Sequence, residues 1–210
     1  MARILFPWWK DLCVRLHITE GVGGMFDAVS SRYEEPARHF YTPTFILQGL
    51  KTLDDVRRQC VDHNVVELAW FLHRLVAEPD AQDNAERSIE AAKPVLAWFG
   101  QSRAFNGAVE RCISATHVYS GSCSDACITA DLEKSYLGQR YVLFRELEDG
   151  LRSEHHNVPD SVYYDRDRGR PHQMREWLTR EHLFLHPYFQ GRFRRPAEEN
   201  IRRWLGQHVC

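Results

Sequence analysis

Apolar positions along the chain recur three and four residues apart, and runs alternating apolar with polar residues are nearly absent. That period marks helices rather than strands. It predicts helices near 7–18, 25–33, 65–77, 107–117, 124–136, 139–154, 171–181 and 196–206. Another begins at Pro43 after the cap residue Thr42, with helix continuing over 53–62, and one follows "DNAERS" (83–88). Pro at the first helical position and Thr just before it are a standard start signal. In "DNAERS" Asp83 or Asn84 caps, and Glu86 sits early in the first turn. "GVGG" (21–24) is a breaker, Pro94 kinks or splits its helix, and Gly138 marks a helix C-terminus. The polar, turn-rich stretch 157–170 reads as a loop within one fold, and no repeat or linker divides the chain. The reading is therefore a single all-α domain spanning 1–210.

The segment 65–77 stands out. Val65, Leu68, Ala69, Leu72, Leu75 and Val76 form one stripe, Trp70 and Phe71 cover much of the rest, and only Glu67 and Arg74 fill the polar arc. A helix apolar nearly all round is a central one. Yet it carries His73 beside Arg74, and a guanidinium stays charged at any working pH. Buried there, it needs a partner or a ligand.

Composition narrows the alternatives. Hydrophobic residues make up 43% of the 210, enough for a real core, and the six tryptophans fall mostly at core spacing. A net charge of -2 gives no global attraction to nucleic acid or anionic membrane. The basic run "GRFRR" (191–195) reads as a solvated face, as do His155 and His156 at a helix end. Six irregularly placed cysteines do not form a secreted disulfide framework, so reduced thiols in a cytoplasm are expected. No apolar run is long enough to span a bilayer, and Lys10 and Asp11 make the start a poor signal peptide. His117, Cys123 and Cys127 match no established zinc spacing.

Several segments in fixed order carry a resemblance: "RYEEPARHF" (32–40), "FLHRLVAEP" (71–79), "DNAERS" (83–88), "DLEKSYLG" (131–138), "NVPD" (157–160) and "PYF…AEENIRRWL" (187–205). Together they resemble the HD superfamily, in particular a small bacterial branch of metal-dependent phosphohydrolases. The resemblance spans nearly the whole chain. It implies an HD-type helical bundle whose central helices hold a divalent metal that activates water against a phosphoester. Imidazole and carboxylate ligands suit such an ion, which lowers the pKa of its water and stabilises charge on phosphoryl oxygens.

Aligned on those motifs, the packing positions persist and the polar chemistry does not. His39 stands at the family's first histidine, but Tyr41 replaces the second and Phe45 the third, a metal ligand. His73 is kept, while Arg74 replaces the aspartate of the His-Asp pair. Asp83, Asn84, Arg87, Ser88 and Asp131 match; Ala85, Glu133 and Asn157 replace Glu, Asp and His. Phe45 cannot ligate, and Arg74 would repel a divalent ion in a poorly screened interior. No metal or other cofactor is expected.

Three functions follow. The first is a catalytically degenerate HD-fold protein that binds a small anionic ligand, or a protein partner, in the former pocket through Arg74, Asp83, Asn84, Arg87 and Asp131. The second is a metal-independent enzyme using His39, Tyr41, His73 and Glu133 for acid–base chemistry. The third is a residual metal-dependent phosphohydrolase. For Arg74 two roles stay open: an internal salt bridge to Asp131 or Glu133, or a cationic fork presented to an anion.

Overall fold

The structure is a computed structural model describing residues 2–79, 81–121 and 124–208. Among them all regular structure is helical: α1 (Phe6–Arg15), α2 (Val22–Ser30), α3 (Pro43–Val56), α4 (His63–Leu72), α5 (Asn84–Phe99), α6 (Arg103–Val118), α7 (Ser124–Lys134), α8 (Tyr141–Glu154), α9 (Asp160–Tyr163), α10 (Arg170–Thr179) and α11 (Pro187–His208). Within these residues no helix is long and apolar enough to cross a membrane.

α4 is the central helix. Every residue from Val65 to Leu72 is buried, Glu67 included, and α1, α3, α5, α6 and α7 pack around it. Close approach of α3 depends on Gly49, where a Cβ would lie 2.2 Å from the Trp70 indole. That indole donates from Nε1 to the Ile46 carbonyl at 2.9 Å. On the other side Trp9 of α1 packs edge-on to Phe71 and Phe99 and stacks on Trp98.

α4 is shorter than its apolar pattern predicts and lies nearer the N-terminus. It begins at His63 because the Asp62 carboxylate accepts the amides of Asn64 and Val65. It ends at Leu72, where side chains of other elements take carbonyls of its last turn and of the residues just beyond it. Tyr33 Oη donates to Phe71 O (2.8 Å) and His117 Nε2 to His73 O (3.0 Å). Arg38 donates to the carbonyls of Arg74 (3.0 Å) and Leu75 (3.2 Å). Helix ends leave such carbonyls orphaned, and external donors fix where the helix stops. His73 and Arg74 therefore sit at a helix terminus, where the chain turns, rather than in mid-helix.

Other boundaries shift for local reasons. α3 stops at Val56, so 57–62 is a 3-10 turn and a cap rather than helix. α5 runs continuously through Pro94, and α11 runs from Pro187 through Pro196, nine residues before the expected start. Thr42 caps α3 as expected. Asp83 precedes α5 without a side-chain capping bond, while Asn84 bonds the Glu78 and Ala81 carbonyls and the Glu78 amide. Towards the C-terminus Asn200 of α11 grips the carbonyls of Leu137 and Gln139, and Arg170 pairs with buried Glu148 at 2.6 Å.

Candidate functional site

The turn after α4 meets α7 at Glu133. Arg74 donates to Glu133 Oε1 from Nη2 (2.8 Å) and Nε (3.2 Å). Tyr41 Oη donates to the same oxygen at 2.8 Å, and the Arg74 guanidinium lies 4.7 Å from the Tyr41 ring centre. The other carboxylate oxygen lies 2.9 Å from His73 Nε2, a close contact without hydrogen-bond alignment. His73 Nδ1 donates to the Trp70 carbonyl at 2.7 Å, and its ring stacks on that indole. The fork's remaining arm, Nη1, donates to His117 Nδ1 at 2.9 Å.

The electrostatics follow from burial and this geometry. Burial opposes ionisation of Glu133, but the Arg74 charge overrides it, helped by His73 and Tyr41, and holds the carboxyl well below its usual range. Burial, then the Arg74 charge, pushes His117 down to about 4. A neutral His117 fits its two bonds, since Nδ1 accepts from the guanidinium while Nε2–H donates to the His73 carbonyl. Burial raises the Tyr41 hydroxyl, so it stays a donor. The result is a closed cluster in which Arg74 and Glu133 side chains keep only 12% and 10% of their exposure.

Asp131 is not part of it. Residues two apart on a helix point nearly opposite ways, so Asp131 and Glu133 cannot both face Arg74. Asp131 instead accepts from Tyr119 Oη (2.7 Å) and from the amides of Leu185 (2.9 Å) and His186 (2.6 Å), clamping the approach to α11. Of the two partners expected for Arg74, Glu133 is the one used.

The donor set does not fit the divalent ion that the resemblance implies. The guanidinium lies on the carboxylate that such an ion would need. Phe45 is buried against the rings of Phe40, Tyr41, Trp70 and His73. Among the described residues no three His, Cys, Asp or Glu side chains group to hold a metal. Cys123 of the rejected zinc grouping lies outside the described residues.

Directly outside the cluster lies a groove of about 1020 Å³. Arg32, Arg38, His39, Arg87, His155 and His156 line it, with Glu35, Glu78 and Glu154. Arg38 is buried at its base, held by Glu35 (3.3 Å) and the carbonyls beyond α4. The Glu154 carboxylate turns onto the amides of His39 (2.8 Å), Phe40 (2.7 Å) and Tyr41 (3.4 Å), fixing the loop that carries His39. Arg87 is half exposed, with only long contacts of 3.8 Å to Glu78 and Asp83.

The structure thus divides the expected site residues. Tyr41, His73, Arg74 and Glu133 come together in the closed cluster. His39 is exposed and lines the groove with Arg87, apart from the buried His73. Asp83 and Asn84 shape the connection between α4 and α5 beside the groove. Sequence reasoning missed Arg38, His117 and Glu154 as site residues. Arg38 sits inside a motif that was singled out, but nothing local marks Glu154, which acts across 115 positions. Compared with known proteins, the chain matches no family model, no curated protein and no solved structure.

Proposed function

We propose that this chain is a degenerate HD-type domain that binds a small anionic ligand in the groove beside its closed former centre. The carrying observation is the groove itself: three guanidiniums and three imidazoles line one 1020 Å³ recess. Its carboxylates are largely engaged, Glu154 by three amides and Glu35 by Arg38 and Arg32. Arg87 has no close partner and offers a planar fork suited to carboxylate or phosphate oxygens. Arg74, by contrast, is fully engaged and acts as an internal cation that organises the wall.

Calorimetric titration with inorganic phosphate and pyrophosphate tests this reading. Binding should weaken about ten-fold in Arg87→Ala and again in His39→Ala, the scale of one exposed charge-assisted hydrogen bond. Absence of binding at millimolar anion, or affinity indifferent to both substitutions, would remove the proposal. Phosphate release from a generic aryl phosphate, lost in Glu133→Gln, would instead favour the enzymatic alternative.

A further inference from the structure

A second cleft lies beside the N-terminal turns of α4, built from residues that the groove and the Arg74 cluster do not use. It holds about 250 Å³ and is lined by Trp8, Asp11 and Arg15 of α1, Asp54 of α3, Arg57 just beyond it, and His63 and Glu67 of α4. Glu67 is 1% exposed in the core of the protein. Its Oε2 pairs with Arg15, whose Nε also binds Asn64 Oδ1 at 2.8 Å. Its Oε1 has no hydrogen-bond partner, and neither ring nitrogen of His63 has one. His63 Nδ1 lies 3.4 Å from Glu67 Oε2, one helical turn away. A buried acceptor without a donor is costly, and its presence in a cleft points to a missing partner.

The charges say what that partner is. At pH 8, where Glu67 is ionised, Asp11, Asp54 and Glu67 carry three negative charges, and Arg15 and Arg57 two positive ones. Burial, then the charges of Arg57 and Arg15, push His63 down to about 4, so it is neutral at pH 7. A lone anion would meet a net negative lining and the bare Glu67 oxygen. An ammonium satisfies both, because it carries only donors. Arg15 is engaged, whereas the Arg57 side chain is exposed and its guanidinium makes no hydrogen bond or ion pair among the described residues. The half-buried Trp8 ring provides an apolar wall. The volume falls below the roughly 300–1,000 Å³ of drug-sized pockets and suits a metabolite-sized molecule.

We infer that this cleft binds a small zwitterion of the α-amino-acid class, its ammonium on Glu67 Oε1 and His63 and its carboxylate on Arg57. Burial pushes Glu67 up to about 7, with Arg15 and Arg57 opposing. An ammonium needs the ionised carboxylate, so binding tightens from pH 6 to pH 8 across a lining that otherwise includes Asp11, Asp54 and neutral His63.

Saturation-transfer NMR at pH 8 with the standard L-α-amino acids is the test, each run beside its decarboxylated amine and its deaminated acid. At least one amino acid gives a signal, and both half-molecules bind about ten-fold weaker or worse. Arg57→Ala, at an exposed position, and Glu67→Gln each weaken binding about ten-fold, with far-UV circular dichroism unchanged in Arg57→Ala. No binding by any amino acid leaves a water-filled cleft and overturns the inference. So does binding that survives Arg57→Ala, or an acid half that binds as well as the whole. None of these outcomes touches the groove, whose anion titration depends on Arg87 and His39.

Discussion

Removing the Arg74 guanidinium should uncover a buried carboxylate. In the parent, Glu133 receives two hydrogen bonds from Arg74 and one from Tyr41, at side-chain exposures of 12% and 10% for the ion pair. Breaking a buried pair from one side costs about 3–5 kcal/mol, because the remaining charge is desolvated and uncompensated. The Tyr41 hydroxyl, which still donates to Glu133, offsets part of this, so the low end, about 3 kcal/mol, is expected. For a chain of this size that is a fall in Tm of roughly 6–12 °C. Arg74→Met is the cleaner variant, since it keeps an apolar stem against Tyr41 while deleting the charge. Combining it with Glu133→Leu should recover most of the loss, as replacing both ions removes the desolvated charge. Urea unfolding of the four species in a double-mutant cycle measures the coupling. The pH dependence has a defined sign. Glu133 is depressed in the folded parent, so its contribution is present above the ordinary carboxylate range and lost as acid protonates it. The deficit of Arg74→Met is therefore full above the ordinary carboxylate range and shrinks only as the pH falls below it towards the depressed value of the parent. A variant within about 0.5 kcal/mol of the parent at pH 7, the scale of an ordinary surface change, would refute the cluster as a structural ion pair.

Two further outcomes follow from the packing around α4. Gly49→Ala drives a methyl to 2.2 Å from the Trp70 indole, so overpacking should cost about 1–3 kcal/mol in chemical denaturation and red-shift tryptophan emission as α3 and α4 part. Burial pushes Glu67 up to about 7, above an ordinary carboxyl, so the folded state holds its proton more tightly than the unfolded state. Stability from this group thus declines as pH rises through that window, and urea midpoints of Glu67→Gln should lack the part of the parent's decline between pH 5 and pH 8.

The all-helical class was legible because the 3.6-residue period runs through nearly the whole chain. α4 was legible as the central helix because Val65, Leu68, Trp70 and Phe71 leave it almost no polar face. Its ends were not, since Tyr33, Arg38 and His117 terminate it from distant positions in the sequence. The extent of α11 was missed because Pro196 resembles a start signal, although Pro187 supplies the earlier one. Within the site, pairing of Arg74 with a carboxylate of "DLEK" was readable from residue chemistry. The choice of Glu133 over Asp131 rests on helical phase and on the amides of Leu185 and His186, which no local pattern announces. The Glu67–His63 cleft was also hidden: Glu67 read as the polar arc of a helix, and its bare oxygen exists only because α1 closes over it.

The Arg74 guanidinium stands against Glu133, at the position where the HD resemblance implies a metal. Plasma emission on protein purified without chelator, followed by manganese titration of the parent and of His73→Ala, decides between cation and metal. The expected result is far less than one iron, manganese or zinc per chain and no saturable manganese binding that depends on His73. One tightly held ion per chain, lost on His73→Ala, would contradict it.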